Sequence, residues 1–260
     1  MKEDGKKVLE LTVSVGEILL KNGAEIFRVQ ETMERIARAY RTENFHVYVI
    51  SNGLFASVDE DGRVHSTEVR HVPLSAPHLG RVAALNQLSR EIEAGSCPLE
   101  EAFARLEEVK HLPYSPPALQ ALACAVGSAC FSFLFGGGLL DSAAALVSGF
   151  VLQLFLFAAG RYRLSKMVTN ILASALVTLC GFLLLQAGLG RQMDKIIIGS
   201  IIPLVPGMAL TTSIRDFFNG DYVSGAIRLI DALLIGACIA LGVGAVLKMC
   251  SLLGFSVGVA

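Results

Sequence analysis

Apolar residues recur with a helical period at the start of the chain. The pattern runs from Val8 to Tyr40 and is interrupted at Asn22-Gly23, a pair typical of a helix end, so we predict two amphipathic helices. Segments rich in β-branched and aromatic residues follow and predict three strands, at 45–51, 54–59 and 63–72. The acidic, glycine-containing segment 59–62 predicts a hairpin turn between the second and third strands.

Helical patterns return after the strands, in the segments 77–94 and 98–110. Together with the first 72 residues they make a stretch of about 110 residues, which is long enough for one hydrophobic core. We therefore expect a small α+β domain over residues 1–112. Three prolines in the segment 113–117 stop the last helix and form a stiff linker.

Long uncharged runs fill the rest of the chain. Most approach the roughly 20 apolar residues that cross a bilayer core of about 30 Å. They predict five membrane spans, near 118–136, 140–160, 167–189, 196–214 and 228–255. Lys248 lies inside the last span, near its end, where a lysine can reach the interface.

The charged residues are distributed unevenly and support this division. Of the 45 Lys, Arg, Asp and Glu residues, 32 precede Tyr114. The loop between the second and third spans carries Arg161, Arg163 and Lys166, and the loop before the fifth carries Arg215 and Arg228. Since basic loops stay in the cytoplasm, we expect both loops and the N-terminal domain there, and the C-terminus outside.

The expected fold is therefore an integral membrane protein, mainly α-helical with five transmembrane helices, preceded by a small cytoplasmic α+β domain. It belongs in the cytoplasmic (inner) membrane as a multi-pass protein, and no secretory signal precedes the domain because Glu10 and Glu17 interrupt the only candidate apolar segment. Gly236, Ala240 and Gly244 recur every four residues on the fifth span, a spacing that favours close helix packing and leaves a homo-oligomer open.

The fourth span is broken by prolines near its centre. Pro203 and Pro206 lie close to the expected midplane and would release the carbonyls of Gly199 and Ile202 from helical hydrogen bonds. Discontinuous helices often form the sites of secondary transporters. We therefore assign the substrate path to six residues: Pro203, Pro206, Gly207, Thr211, Thr212 and Asn170. The alternatives are a plain proline kink with back-bonding threonines and, for the asparagine, a hydrogen bond between helices.

Charged residues at the ends of the predicted spans are candidates for gating or ion coupling. They are Asp141, Arg215, Asp216, Asp221, Arg228 and Asp231. Either arginine could bind a carboxylate. Simpler roles also stay open: Arg228 and Asp231 could pair at i,i+3, and Asp221 could cap the fifth helix with Ser224 three positions later.

Several function classes lose support from the same sequence. The net charge is −1 and no basic stripe is interleaved with aromatic residues, which argues against nucleic-acid binding. No P-loop, G-x-S-x-G, H-E-x-x-H or paired Cys/His spacing is present, so we expect no metal, no cofactor and no energised ATPase.

Ordered motifs along nearly the whole chain resemble the threonine/serine exporter family. They are the segments 23–29 (GAEIFRV) and 136–141 (GGGLLD), then Pro206-Gly207, Arg215-Asp216, Gly220-Asp221 and Ser224-Gly225-x-x-Arg228. The resemblance is to the larger subunit of the split form, which works with a separate small membrane protein of the same family. It implies export of small hydrophilic metabolites, either threonine and serine or a dicarboxylate such as succinate.

Two other functions stay open at this point. The chain could be a membrane-anchored enzyme, hydrolase-like, with its site in the N-terminal domain. The domain could instead sense a ligand and gate a pore, with Glu25 and Arg28 forming no more than a solvated pair.

Overall fold

The N-terminal part of the chain folds as the sequence predicts, into helices around a small sheet. A computed structural model describes residues 2–42, 44–60, 63–73, 77–162 and 164–255. Helices α1 (Lys2–Lys21) and α2 (Ile26–Ala39) precede strands β1 (Phe45–Ile50), β2 (Gly53–Glu60) and β3 (Arg63–His71), and α3 (Leu79–Glu93) and α4 (Leu99–Lys110) follow. The predicted turn at 59–62 lies partly outside the described residues.

The three strands form one antiparallel sheet in the order β1-β2-β3. Tyr48 lies opposite Phe55, and Phe55 lies opposite Val69. Leu54 and Ala56, on the other face of β2, are buried against the helices. Period-2 alternation therefore places one face of the sheet on the core.

The first two helices supply nearly half of that core. Leu9, Leu19, Met33 and Ile36 are fully buried together. The connection between the helices turns at Gly23, whose φ of 88° favours glycine. At the other end of α2, the Tyr40 hydroxyl donates to the carbonyl of Cys97 at 3.0 Å. Burial raises the pKa of Tyr40 to about 12, so it stays a hydrogen-bond donor at physiological pH.

The remaining helices are long and apolar. They are α5 (Pro117–Leu134), α6 (Leu139–Arg161), α7 (Lys166–Gln186), α8 (Met193–Ile201), α9 (Gly207–Phe218) and α10 (Tyr222–Leu252), with a 3₁₀ turn at Ile202–Leu204. Four of them, α5, α6, α7 and α10, are long and apolar enough to cross a membrane. The pair formed by α8 with its 3₁₀ turn and α9 would make a fifth span, bent by 63°.

The chain divides into two compact units. Unit 1 contains the residues up to Tyr114 together with Thr212–Arg228. Unit 2 contains Ser115–Thr211 and the described residues from Leu229 onward. Segment 212–228, far away in the sequence, therefore folds as part of the N-terminal unit.

Unit 2 has the surface of a membrane protein. Leu152, Val177, Ile235 and Ile239 pack inside it. Many large apolar side chains remain exposed, among them Leu122, Phe133, Phe150, Leu183 and Leu241. Exposed apolar surface of this extent marks contact with lipid or another protein.

Candidate functional site

The predicted break between two helices is present, and short-range hydrogen bonds replace the helical pattern there. Helix α8 ends at Ile201 and α9 begins at Gly207. The N–H of Val205 donates to the carbonyl of Ile202 at 3.0 Å, and the N–H of Gly207 donates to the carbonyl of Val205 at 2.8 Å. Because Pro206 has no N–H, the carbonyl of Ile202 is released from the α-helical pattern as expected, and the 3₁₀ turn supplies its new partner, the N–H of Val205.

The residues at the break are accessible in the described chain. Pro203, Gly207 and Thr211 are exposed and Pro206 is half-buried. The Thr211 hydroxyl donates to the carbonyls of Gly207 and Met208, both at 3.1 Å. This is the back-bonding arrangement of a kinked membrane helix, and it leaves the hydroxyl oxygen able to accept a further hydrogen bond.

Of the other two predicted path residues, Asn170 lies apart from the break along the chain, whereas Thr212 directly follows Thr211. Asn170 is buried in α7, and its backbone carbonyl accepts a hydrogen bond from the Ser174 hydroxyl at 2.8 Å. Thr212 is half-buried and belongs to unit 1.

In unit 1, an ion pair connects the segment after the break to the N-terminal helices. Arg215 in α9 forms an ion pair with Glu25, the residue before α2. Glu25 also contacts Arg28 at 3.2 Å. A residue expected to make only a solvated pair with Arg28 thus bridges two arginines, one of them 190 positions away.

A buried ion pair lies further along the same segment. A carboxylate oxygen of Asp216 lies 3.4 Å from Nε of Arg228, with exposed side-chain fractions of 2% and 8%. The two atoms make no hydrogen bond to any other residue in the part of the chain that the structure describes. The pairing brings opposite charges together where an isolated buried charge would be strongly unfavourable.

Asp221 and Ser224 lie where the last helix begins. The Ser224 hydroxyl accepts a hydrogen bond from the backbone N–H of Ser51 at 3.2 Å, so it ties α10 to the end of β1. A small cavity of about 120 Å³ is formed by Tyr48 and the residues 220–224. Its size suits a few water molecules rather than a metabolite.

In unit 2, Asp141 is fully engaged with backbone groups. Its carboxylate accepts hydrogen bonds from the backbone N–H groups of Gly138 at 2.9 Å, Arg191, and Gln192 at 2.9 Å. The first of these caps α6, and the other two belong to the turn that starts α8. One carboxylate thus joins two helix N-termini, where negative charge is stabilising.

Asp231 pairs with a residue of another helix in unit 2. Its carboxylate contacts Nζ of Lys166 at 2.7 Å. The alternative pairing of Arg228 with Asp231 is therefore wrong: each has a different partner. Because Asp141 and Lys166 flank opposite ends of the 23-residue helix α6, Asp141 and the partner of Asp231 lie apart within unit 2.

Comparison of the sequence with known proteins identifies the family of the chain. The sequence profile of the ThrE threonine/serine exporters matches residues 10–250. The chain belongs to the ThrE family.

Individual relatives divide into two lengths. The Threonine/serine exporter of Corynebacterium glutamicum is 26% identical over 255 residues, which cover 95% of this chain and 52% of that protein. The Probable threonine/serine exporter of Mycobacterium tuberculosis is 26% identical, over 92% of this chain and 45% of its own length. The chain thus spans about half the length of these two ThrE relatives.

A shorter relative matches from end to end. The Probable succinate transporter subunit YjjP of Escherichia coli K12 is 24% identical over 265 residues, 97% of this chain and 98% of that protein. No solved structure matches the chain. The relatives of both lengths are thus named as exporters or as a transporter subunit.

Sequence reasoning missed several residues of the ThrE chain that the structure brings together. Glu25, Ser51 and Lys166 contact Arg215, Ser224 and Asp231 respectively. Glu25 lies in one of the motifs that carry the family resemblance, and Lys166 was noted only as a basic loop residue, whereas Ser51 had no sequence signal. Among the described residues, no group of three or more His, Cys, Asp or Glu is arranged to hold a metal ion.

Proposed function

We propose that the chain is a subunit of a secondary transporter that exports small hydrophilic carboxylates across the cytoplasmic membrane. The cargo is threonine and serine, or a dicarboxylate such as succinate. One observation carries the proposal: an apolar segment long enough to span a membrane bends by 63° at Pro203 and Pro206. Irregular backbone at membrane depth is tolerated where it lines a cavity or is buried in protein.

The break offers a polar ligand more than a regular helix does. Pro203 and Gly207 are exposed, and the backbone around them departs from the helical hydrogen-bond ladder. Thr211 lies one turn beyond Gly207 and keeps lone pairs for a donor. These groups fit the midplane site of a transporter built on a discontinuous helix.

The proposed orientation rests on charge and on the composition of unit 1. Arg161 and Lys166 flank the loop between α6 and α7, which favours the cytoplasm; Arg163 lies outside the described residues. Segment 212–228 folds in one unit with the N-terminal residues, which supports a common side of the membrane for both. With five spans, the C-terminus would lie outside.

A second subunit is part of the proposal. The name of one relative suggests it, because YjjP is called a transporter subunit. The exposed residues at the break also need cover from lipid, from a partner or from another copy. We assign that cover to a small membrane protein of the same family.

The coupling ion of the proposed transporter calls for an exposed or mobile acid. Asp141 fits poorly, because its carboxylate already accepts from three backbone N–H groups. Asp216 and Asp231 each pair with a cation. Asp221, half-buried at the start of α10, remains the best coupling candidate of the four acids.

Efflux from whole cells tests the proposal. Cells are loaded with threonine, serine or succinate, and efflux is followed in cells expressing the chain alone, the small partner alone, or both. We expect faster efflux of at least one of the three only when both are present. Equal efflux of all three in every strain, with both proteins found in the membrane, would remove the function.

A gating role for unit 1 is favoured by a separate observation. The N-terminal residues hold the segment that joins α9 to α10 through Glu25–Arg215 and Ser51–Ser224. A ligand that changed this packing would act on the helix that follows the break. Calorimetry of the full-length protein with threonine, serine and succinate, compared between the wild type and Glu25→Gln, tests whether such a ligand binds.

A further inference from the structure

Three serines buried in unit 2 differ from the other buried hydroxyl residues there. Ser128 and Ser132 on α5 and Ser148 on α6 are fully buried. The Oγ atoms of Ser132 and Ser148 have no hydrogen-bond partner among the described residues. The Oγ of Ser128 likewise makes no hydrogen bond within the described chain, and the nearby thiol of Cys124 would be a weak partner.

Equally buried hydroxyls on neighbouring helices behave in the usual way. Those of Ser174 and Thr178 on α7 and of Ser200 on α8 donate to the carbonyl four residues earlier, at 2.7–2.8 Å. This is the standard solution for a hydroxyl in an apolar helix bundle. Its absence at Ser132 and Ser148 needs a different explanation.

Glycines bring two other helices against these serines. A Cβ atom added at Gly149 of α6 would lie 2.3 Å from Oγ of Ser128. A Cβ added at Gly199 of α8 would lie 2.6 Å from the carbonyl oxygen of Ser128 and 2.7 Å from Cβ of Ser132. We call the set Ser128, Ser132, Ser148, Gly149 and Gly199 the serine seam: Gly149 and Gly199 bring α6 and α8 against the two serines of α5, and Ser148 directly precedes Gly149.

Tight helix packing explains why glycines occupy these positions, but it does not explain why the serines carry hydroxyl groups. Small residues let membrane helices approach closely, and alanine would serve that purpose at the serine positions. A buried hydroxyl without a partner costs about 1–3 kcal/mol relative to a paired one. The seam therefore carries polar groups that the closed packing leaves unsatisfied.

The seam leads from one end of unit 2 towards the helix break. Its outer end is the turn at Gly137, where an added Cβ would lie 2.8 Å from Oγ of Ser132 and 3.2 Å from Cβ of Lys195. Ser148 lies about 13 Å along α6 from the start of that helix, near half the thickness of a bilayer core. Gly199 precedes Pro203 by four residues.

We propose that the serine seam is the outer half of the substrate path, shut in this structure, and that its hydroxyls bind the carboxylate of the cargo when α8 separates from α5. Each hydroxyl can donate one hydrogen bond to a carboxylate oxygen, and the charge makes such bonds stronger than those between neutral groups. A carboxylate is common to threonine, serine and succinate. The inference rests on the proposed export function and adds a second ligand region to the break at Pro203.

Alanine variants separate a ligand role from a packing role. Ser132→Ala and Ser148→Ala remove hydroxyls without a partner, so thermal stability should be unchanged or higher. Half-maximal efflux should need about tenfold more substrate, the effect of one hydrogen bond to a charged group. Ser174→Ala and Ser200→Ala, matched in burial, should leave efflux within about twofold of the wild type, because their hydroxyls bond their own helices.

Thiol labelling tests the seam without relying on efflux. Ser132→Cys, Ser148→Cys, Ser174→Cys and Ser200→Cys are made in a chain whose six cysteines are replaced by alanine. A water-soluble methanethiosulfonate reagent is applied to vesicles of both orientations, with the partner present. Faster modification at 132 and 148 than at 174 and 200, slowed by threonine, serine or succinate, supports the proposal.

Different results would contradict the serine seam and the export function. Normal efflux in both Ser132→Ala and Ser148→Ala overturns the seam while the export function stands. Equal labelling at all four positions, or labelling that none of the three carboxylates slows, also overturns it. A wild-type chain that exports none of the three removes the export function, and labelling still reports whether a carboxylate enters the seam.

Discussion

Glu25 and Arg215, 190 positions apart, form an ion pair inside unit 1. Glu25 precedes α2, and Arg215 lies near the end of α9, after the helix break. The pair fastens the segment that leaves the break to the N-terminal helices. In the proposed transporter, the pair would let the N-terminal helices act on α9, the helix that begins at the break.

Reversing one charge of this pair should impair transport, and reversing both should restore it. Glu25→Arg places three arginine side chains together, and Arg215→Glu places a third acid near Glu25 and Asp216. We expect efflux to fall severalfold in each single variant and to recover in the double variant. The loss of stability should stay at about 0.2–1 kcal/mol for the lost pair, since Arg215 is half exposed.

Arg28→Gln provides the matched control for that experiment. Arg28 contacts the same carboxylate but lies on the same helical turn, and its side chain is 62% exposed. Its removal should leave efflux close to the wild-type rate. A double reversal that transports no better than either single variant would show that the pair has no role in transport.

The buried pair Asp216–Arg228 should control stability rather than rate alone. Removing one partner of a buried pair leaves an uncompensated charge and costs about 3–5 kcal/mol. We expect Asp216→Asn and Arg228→Gln each to lower the melting temperature of the detergent-solubilised protein. The double variant should be more stable than the sum of the single effects predicts, by about 0.5–3 kcal/mol. Additive losses would contradict a direct interaction.

Asp141 should behave as a structural residue. Asp141→Ala removes the acceptor for three backbone N–H groups, whereas Asp141→Asn keeps one oxygen that can serve Arg191 and Gln192. Each buried donor left unpaired costs about 1–3 kcal/mol, so alanine should destabilise more than asparagine. Melting temperatures of both variants check the order. A stable Asp141→Asn that exports but has lost ion coupling would instead assign the residue to coupling.

Pro206→Ala should straighten the break and slow transport. Alanine supplies the N–H that proline lacks, so residue 206 can compete for the carbonyl of Ile202, which Val205 now occupies. We expect efflux to fall severalfold at a normal membrane level. Pro117→Ala is the control, because Pro117 is the first residue of α5, where a missing N–H leaves no bond unmade. Equal efflux in both variants would contradict a role for the break.

Local features of this chain were predictable from sequence. The break after α1, the three strands and the proline break lie within a few residues of their predicted positions, because glycine, proline and β-branched residues act on their own neighbourhood. The coarse division into an α+β part and apolar helices follows from where the charges lie.

Partners of the charged residues were not predictable in the same way. Arg228 and Asp231 have the spacing of a helical pair, yet they contact Asp216 and Lys166, which come from other helices. Similarly, nothing local marks Ser132 as unpaired and Ser174 as paired. These differences depend on which helix packs against each serine, and a single sequence does not carry that information.

The discontinuity of unit 1 changes how the molecule can be taken apart. A fragment that ends near the proline linker would lack residues 212–228, and with them the groups that Glu25 and Ser51 bind. The surface that segment 212–228 covers would be exposed in this fragment and would be prone to aggregation. Ligand binding measured on the fragment would therefore describe an incompletely folded unit. The smallest fragment that contains all of unit 1 would join residues 1–114 to residues 212–228 through a short designed linker, and it is the form to crystallise.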